Sequence, residues 1–306
     1  MFKTDAKANM KILVTGAGGT IGTCTTQALY YKGYEIVALH RIAPTQKNVY
    51  PWKIIEADLL SDRIISELET IHPDVVVHCA AVLPEKLEGE GAKKIANMNR
   101  RIDNVVLKFC QDHDCALIYT SSTAVYGSPG FLCNEESPVS LRGPYRTAKF
   151  ETEQKIKTMK NRYVILRISS PYSPEQCSRT VLKIFIERAL EDLDLLYYGS
   201  GERQQDFIPS EDVAQAVVRS VANSTTCGVF NIASGYPVSM TQLAELVIKC
   251  IPETKSKIVA AGISDPQEDH RAYFDINKAK SILGLIPSFS LEYGIKHWMQ
   301  SLKKKQ

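Results

Sequence analysis

The 306-residue sequence contains no long hydrophobic run and no marked excess of either charge. No apolar segment approaches the roughly 18 residues of a membrane-spanning helix, and the polar start MFKTDAKANM lacks the apolar stretch of a secretory signal. The net charge is +3, and the single basic run, Lys303–Lys305, is interpreted as a solvated chain end. We therefore expect a protein that binds neither membranes nor nucleic acid, because nucleic-acid binding requires a broader basic face.

The eight cysteines are scattered along the chain, and no two of them form a C-x-x-C pair. Common zinc sites place cysteines at such short spacings, so we predict that the protein has no metal site. Cys79, Cys110 and Cys250 lie in apolar segments and are expected to be small buried side chains. Reduced thiols of this kind predict a cytoplasmic location.

Short apolar segments alternate with helical periodicity over the first 170 residues. Strands are predicted at 11–15, 34–39, 74–79, 115–120 and 163–168, and helices at 21–32, 62–70, 92–112 and 144–160. Strands that are apolar throughout are typical of a parallel sheet covered on both faces. The sequence therefore predicts an α/β fold with a doubly wound parallel sheet of the Rossmann type, in which later strands complete six or seven in all.

The pattern becomes irregular beyond Pro171. Helices are predicted at 179–191, 211–222, 240–250 and 275–283, and strands near 195–198 and 228–232. We interpret about 171–206 and 236–306 as a smaller, irregular substrate-binding lobe. Residues 10–170, together with about 207–235, would form the dinucleotide-binding domain.

A glycine-rich loop, VTGAGGTIG, follows the first strand and opens a helix. Gly16, Gly19 and Gly22 permit a tight turn, a close approach to a pyrophosphate, and close packing of the helix on the strand. Thr20 and Ile21 begin the helix, whose unpaired N–H groups and positive dipole end attract phosphate. The loop therefore predicts a dinucleotide site.

The end of the second strand carries no acidic residue, although a carboxylate there commonly binds the ribose 2′-hydroxyl of NAD. His40 and Arg41 stand in its place, and a guanidinium can pair with the 2′-phosphate of NADP. This slightly favours NADP over NAD, and an exposed basic pair at the start of a loop is the alternative. Asp58 and Leu59 lie where they could contact the adenine.

Tyr145 and Lys149 are spaced i, i+4, so they share one face of a predicted helix. Free tyrosine has a pKa of about 10, and a nearby ammonium favours the phenolate. We therefore expect Lys149 to lower the pKa of Tyr145 and make it a proton donor and acceptor. The segment YTSSTAVYG ends the fourth predicted strand, where Ser121, Ser122 and Thr123 place hydroxyls that could bind a substrate oxygen.

These motifs together resemble the extended short-chain dehydrogenase/reductase family. The resemblance rests on TGAGGTIG, HCAAV, YTSSTAVYG and YRTAK in this order, and continues through VILRISSPYSP, GSGERQQDFIPSEDVAQAV, GVFNIASG and FDINKAKSILG. It covers the chain from about residue 11 to about residue 300. Nucleotide-sugar members of this family include UDP-galactose 4-epimerase and the deoxysugar 4-ketoreductases.

The resemblance implies roles for residues at the matching positions. Ser122 would be the catalytic hydroxyl and Tyr145 the acid/base, while Lys149 would bind the nicotinamide ribose and tune Tyr145. Ala80 and Ala81 would lie against the cofactor, whose pyrophosphate would rest on the three glycines. Either of two asparagines matches a structural asparagine of the family, namely Asn97 or Asn99.

The sequence departs from the family pattern on the substrate side. Thr123-Ala124 replaces the Asp-Glu pair that dehydratases use, which disfavours elimination of water. Ser170 replaces an asparagine before proline. Arginines that commonly bind the diphosphate are replaced by Gln205 and Asp265, and the nearest substitutes are Arg203 and Arg271. We therefore predict that Thr123, Ser170, Arg203 and Arg271 bind the substrate.

The resemblance implies NAD(P)-dependent oxidoreduction at a sugar carbon, as a nucleotide-sugar 4-epimerase or 4-ketoreductase with a Ser-Tyr-Lys site. A reductase of a non-nucleotide sugar or another small carbonyl compound is one alternative, and a non-catalytic cofactor-binding regulator is another. The resemblance also implies a homodimer, in which helices 92–112 and 144–160 form a four-helix bundle with their symmetry mates.

Overall fold

A computed structural model describes residues 10–45, 49–128, 130–176 and 178–303. The expectations for the N-terminal nine residues, and for the basic tail beyond residue 303, lie outside this part of the chain. The strands, in chain order, are β1 (Lys11–Thr15), β2 (Glu35–His40), β3 (Lys53–Glu56), β4 (Val75–His78), β5 (Ala116–Ser122), β6 (Tyr163–Ile168), β7 (Ser170–Tyr172), β8 (Leu195–Tyr197), β9 (Gln204–Gln205), β10 (Phe207–Pro209), β11 (Gly228–Ile232), β12 (Val238–Ser239) and β13 (Ile258–Ala260). The helices are α1 (Thr20–Tyr31), α2 (Ile64–Glu69), α3 (Glu90–Asp112), α4 (Pro144–Lys157), α5 (Val181–Leu190), α6 (Ser210–Ala222), α7 (Met240–Cys250), α8 (Asn277–Leu283) and α9 (Leu291–Lys303).

Seven strands form one parallel sheet in the order β11-β6-β5-β4-β1-β2-β3. The predicted doubly wound α/β fold is thereby confirmed, and β11 is the later strand that completes the sheet. The sequence interpretation missed β3, a four-residue edge strand whose side chains are all at least partly exposed. Its length and edge position explain the omission, since so short a segment shows too little apolar periodicity.

The alternation of side chains along each strand builds a separate core on each face of the sheet. Ile12 and Val14 of β1 face one way and join Leu29 of α1 and Val217 of α6. Leu13 faces the other way and joins a second cluster. That cluster also contains Leu68 of α2, Val106 of α3 and Ile156 of α4. Helices therefore cover both faces, as parallel sheets require.

A third core lies in the later part of the chain and joins α5, α7 and α9. Phe185, Leu195, Leu243 and Trp298 are buried in it, and the Trp298 ring stacks on Tyr172 with centroids 6.4 Å apart. The sequence interpretation missed α9, although the apolar residues of LEYGIKHWMQSLK recur at helical spacing. The division of the chain into two lobes stays a prediction.

A buried ion pair fixes α4 to the sheet. Arg167 of β6 is 1% exposed and Glu153 of α4 is 0% exposed. The guanidinium donates to both carboxylate oxygens, over 3.0 Å from Nε to Oε1 and 2.7 Å from Nη2 to Oε2. Its Nη1 also donates to the hydroxyl of Tyr126, in the 3-10 turn that follows β5. The pair therefore sets where α4 lies relative to β5 and β6.

Within the described residues, no helix combines the length and the apolar character needed to cross a bilayer.

We expect Arg167→Met to lower the free energy of unfolding by about 3–5 kcal/mol, because it leaves the Glu153 carboxylate buried without its counter-charge. Chemical denaturation measures the loss. The matched control is Lys249→Met, which breaks the exposed 2.8 Å pair with Glu292 and should cost less than about 1 kcal/mol. Equal losses in the two variants would contradict a stabilising role for the buried pair.

Candidate active site

The site lies at the carboxyl edge of the sheet, where the strand order reverses. From β1 the chain runs outward through β2 and β3 on one side, and β4, β5 and β6 extend on the other. The loops after β1 and β4 therefore diverge and leave a crevice. Ligands of open α/β sheets bind at such a switch point.

The glycine loop forms a cradle in this crevice. Gly16 has φ +65°, and a Cβ added there would lie 2.6 Å from the backbone N and Cα of Ala80. A Cβ at Gly22 would overlap the carbonyl oxygen of Gly16. Gly19 caps α1 without a side-chain hydrogen bond, and the first turn, which begins with Thr20 and Ile21, holds no acidic residue. The helix therefore presents unshared N–H groups, and the residues present fit a dinucleotide pyrophosphate.

The predicted adenine-side residues lie at the ends of β2 and β3. The imidazole of His40 lies close to the glycine loop, since a Cβ added at Gly18 would lie 3.0 Å from its Nδ1. Arg41 is exposed at the start of the next loop. Asp58 accepts a 2.8 Å hydrogen bond from the backbone N–H of Leu60. Leu59 is buried in the core, so only its backbone remains for an adenine contact.

The loop after β4 is held by one asparagine side chain. Asn99 accepts from the N–H of Val82 and donates to its carbonyl, both over 2.8 Å. This two-point contact identifies Asn99, rather than Asn97, as the structural asparagine. Ala80 and Ala81 immediately precede the clamped residue, so they are held beside the glycine loop.

The hydroxyl residues after β5 have different surroundings. Ser122 accepts a 3.1 Å hydrogen bond from the N–H of Ala124, which leaves its own proton available to donate. Thr123 is buried, and its hydroxyl donates to the carbonyl of Ile168 over 3.5 Å. Ser121 is also buried and donates to Glu153. Of the three hydroxyls, Ser122 is the one that is not committed to a protein acceptor.

Tyr145 is the second residue of α4, which starts at Pro144 beside the turn after Ser122. Its phenol is partly buried and makes no hydrogen bond to another described residue. Burial raises the pKa of Tyr145, and the charge of Asp103 raises it further. The resting phenol is therefore neutral, and it is free to bind an oxygen of a ligand.

The expected lowering of the Tyr145 pKa by Lys149 is wrong for the protein alone. Lys149 is 3% exposed, and its ammonium donates to the hydroxyl of Tyr119 over 3.1 Å and to the carbonyl of Thr120 over 3.0 Å. Burial lowers the pKa of Lys149, while Asp103 opposes that change. Sequence spacing placed the two side chains on one face, but it did not show that buried acceptors engage the ammonium.

Sequence reasoning missed a buried polar cluster beneath Lys149, formed by His78, Asp103 and Tyr119. Asp103 is 1% exposed, and it lies on α3 among Ile102, Val106 and other buried apolar residues. A charged residue on the apolar side of an amphipathic helix was the available signal, since such a residue is almost never buried without partners.

The predicted substrate residues of the later chain include one ion pair. Arg203 donates from Nε to Asp265 Oδ2 over 2.7 Å, so the predicted diphosphate substitute is already paired. Gln205 lies in β9, and its side-chain oxygen is buried without a hydrogen-bond partner. Arg271 donates to two backbone carbonyls, those of Glu268 and His270.

The positive charges of three arginines act on His270. Burial, followed by the charges of Arg203, Arg146 and then Arg271, lowers its pKa to about 4. Arg146 follows Tyr145 directly, and a Cβ added at Gly127 would lie 3.2 Å from its Nη1. The sequence interpretation did not single out Arg146, because nothing local to it indicates its neighbours.

Two further observations concern metal binding and Ser170. No group of three or more His, Cys, Asp or Glu side chains in the described ranges could hold a metal ion. Ser170 begins β7 and donates its N–H to the carbonyl of Asp206 over 2.9 Å, so its backbone is fixed while its substrate contact stays a prediction.

Comparison with known proteins agrees with the geometry. A family model described as the NAD dependent epimerase/dehydratase family matches residues 12–233. A putative UDP-glucose 4-epimerase of Methanocaldococcus jannaschii is 29% identical over 311 residues, which cover 95% of this chain and 98% of that protein. The dTDP-D-glucose 4,6-dehydratase of Mus musculus is 28% identical over 318 residues, covering 96% of this chain and 89% of that protein.

A solved structure is similar over almost the whole chain. The UDP-glucuronic acid 4-epimerase from Bacillus cereus, in complex with UDP-glucuronic acid and NAD, superposes with a TM-score of 0.85 at 25% identity. The match covers 97% of this chain and 100% of that one. The expected resemblance is therefore confirmed, and the chain belongs to the NAD dependent epimerase/dehydratase family.

Proposed function

We propose that this protein is a nucleotide-sugar 4-epimerase that uses NAD. The proposal is carried by the glycine loop after β1, which fits a dinucleotide, together with Ser122 at the end of β5 and with Tyr145 and Lys149 on α4. Related proteins named as 4-epimerases support it. A dehydratase is disfavoured, although several relatives carry that name. Thr123 and Ala124 follow Ser122, so no acid stands there to protonate a leaving hydroxyl.

Tyr145, Ser122 and Lys149 have different roles in the proposed reaction at the sugar C4 oxygen. When bound, NAD would supply a hydride acceptor and a positive charge. Tyr145 takes the proton of the C4 hydroxyl as the sugar is oxidised and returns it to the same oxygen afterwards. Ser122 donates a hydrogen bond to that oxygen. Lys149 would hold the nicotinamide ribose.

A 4-ketoreductase that exchanges NADPH is the second candidate. The observation favouring it is the end of β2, where His40 and Arg41 stand in place of the carboxylate that commonly binds the ribose 2′-hydroxyl of NAD. The exposed Arg41 is free to meet such a phosphate, which supports the slight preference for NADP.

The substrate diphosphate is proposed to bind among Arg146, Arg203 and Arg271. The positive charges of the three arginines act together on His270, and Arg203 also forms an ion pair with Asp265. Partly buried cations need counter-charges, and a diphosphate supplies two. This cluster would replace the family arginines that are absent at Gln205 and Asp265.

The protein is further proposed to be a cytoplasmic homodimer. Helices α3 and α4 pack side by side, as a dimeric four-helix bundle would require. Cys79, Cys110 and Cys115 are free thiols, which suits a reducing compartment. Cell fractionation that recovers the protein outside the cytoplasm would contradict the location.

Tyr145→Phe tests the proposed function most directly. The substitution deletes only the phenolic oxygen, so turnover of UDP-glucose to UDP-galactose should fall roughly 10²–10⁴-fold while NAD affinity barely changes. Lys149→Ala should lower both turnover and NAD affinity. Ser122→Ala should reduce turnover less than Tyr145→Phe does. The matched control is Tyr236→Phe, whose side chain is 79% exposed. Near-normal turnover in Tyr145→Phe, measured on the epimer pair that the unaltered protein converts, would contradict the mechanism.

Native mass spectrometry tests the cofactor and the subunit count together. We expect a dimer of two 34.1 kDa chains, each with one tightly held dinucleotide whose mass tells NAD from NADP.

Arg41→Ala should weaken the binding of NADP roughly 10- to 100-fold and change the binding of NAD little, because only NADP loses a charge-assisted pair with the guanidinium. A monomer at micromolar concentration would refute the dimer, and equal effects on both cofactors would remove the case for NADP.

The arginine cluster is tested by calorimetric binding of UDP and of uridine. Arg146→Ala and Arg271→Ala should each weaken UDP binding about 10-fold or more and leave uridine binding unchanged, because only UDP carries the diphosphate. Arg63→Ala, at the exposed start of α2, is the control and should change neither. Unchanged UDP affinity in both cluster variants would show that the diphosphate binds elsewhere.

A further inference from the structure

The carboxylate of Asp103 lies at the floor of the site and accepts three side-chain hydrogen bonds. His78 Nε2 lies 3.0 Å from Oδ1, while Tyr119 and Thr152 each donate a hydroxyl to Oδ2 over 2.8 Å. Asp103 is 1% exposed. These partners come from β4, β5 and α4, so one carboxylate on α3 connects these three elements.

One hydroxyl separates this carboxylate from the ammonium of Lys149. The Tyr119 hydroxyl donates to Asp103 and accepts from Lys149 Nζ over 3.1 Å. The ammonium also lies 4.5 Å from the centre of the Tyr119 ring. A buried ammonium is costly unless a counter-charge is near. Asp103 supplies that charge through the polarised hydroxyl.

The other side of Asp103 is connected to the cofactor cradle. His78 Nδ1 lies 2.6 Å from the hydroxyl oxygen of Thr15, which accepts a 3.4 Å hydrogen bond from the N–H of Ala80. With the proton on Nε2, the imidazole donates to Asp103 and accepts from Thr15, so every group in the chain is satisfied. Hydrogen bonds through His78 and Thr15 therefore connect the Asp103 carboxylate to the backbone of Ala80, which Gly16 approaches closely.

Asp103 is the carboxylate near Lys149 that no arginine neutralises among the described residues. Glu153 of α4 is bound by Arg167. Cys79, after β4, stays a thiol because burial raises its pKa to about 12, and burial also raises the pKa of the Tyr119 phenol. For Asp103, burial is outweighed by Lys149 and His78, so its pKa falls to about 2 and it is ionised.

We propose that Asp103 is a positioning residue that holds Lys149 as an ammonium ion beneath Tyr145, and thereby sets the pH range in which Tyr145 exchanges its proton. The proposal rests on the proposed function, because it assigns Asp103 a task in the chemistry of the Tyr145–Lys149 pair. Asp103 itself is buried beneath the pair and acts through Tyr119 and its negative charge.

The pH dependence follows from the sign of the charge. A negative charge raises the pKa of both Tyr145 and Lys149, and Asp103 has this effect on each of them. Activity that needs the Tyr145 base rises through the pKa of Tyr145, and activity that needs the Lys149 cation falls as pH rises through the pKa of Lys149. Removing the charge therefore moves both limbs of the profile to lower pH.

The test is the pH profile of kcat/KM for Asp103→Asn, with NADH binding followed by fluorescence over the same pH range. We expect both limbs to move down by about one pH unit or more. The pH at which NADH affinity weakens should move down with the alkaline limb, which provides a reading that does not depend on turnover.

Thr152→Val is the matched control, since it removes a hydrogen bond to the same carboxylate oxygen without changing any charge. Its profile should stay in place even if its thermal stability falls. If Asp103→Asn fails to fold, Tyr119→Phe is the variant that tests the proposal. It deletes the hydroxyl between the Asp103 carboxylate and the Lys149 ammonium, so it should move the alkaline limb to lower pH.

A uniform loss of activity in Asp103→Asn, with both limbs and the NADH binding profile unmoved, would overturn the proposal and leave Asp103 a structural residue. That result is distinguishable from failure of the proposed function. If Tyr145→Phe abolishes turnover while the Asp103→Asn profile is unmoved, only the role of Asp103 is refuted.

Discussion

The burial of charge beneath α4 is the constraint on which the site depends. Lys149, Glu153, Arg167 and Asp103 are each at most 3% exposed. Every one of them would be strongly destabilising without its partners. The partners come from β5, β6 and α3, so they are all satisfied only when α4 has one position and one rotation on the sheet. That position places the start of α4, where Tyr145 lies, against the turn that follows Ser122.

The two halves of the crevice recognise ligands by different physical means. On the proposed cofactor side, the start of α1 offers unshared N–H groups, and Gly16 and Gly22 leave no room for side chains. On the proposed substrate side, the charges of Arg146, Arg271 and the Asp265-paired Arg203 act on His270, whose pKa burial and these charges lower. A dinucleotide fits the first surface, and an anionic substrate suits the second.

The protonation of the resting site also has a functional consequence. Tyr145 is neutral in the protein alone because burial raises its pKa, and the ammonium of Lys149 is engaged by Tyr119 and Thr120. Base chemistry at Tyr145 therefore requires additional positive charge, which a bound oxidised nicotinamide would provide. An epimerase that keeps its cofactor would have that charge present whenever a sugar enters.

The sequence by itself determined the α/β alternation, the glycine cradle and the Tyr145–Lys149 pair, because strand and helix periodicity and i, i+4 spacing are local properties. It missed β3 and α9, where the local pattern was short or lay near the end of the chain. Only the tertiary structure decided which asparagine clamps Val82 and that Asp103 lies beneath Lys149. It also showed that the Tyr145 pKa rises where a fall was expected. These outcomes depend on contacts between distant segments, such as that of Thr15 with His78, 63 positions apart. Burial and the fields of distant charges, rather than neighbours along the chain, control protonation in a folded site.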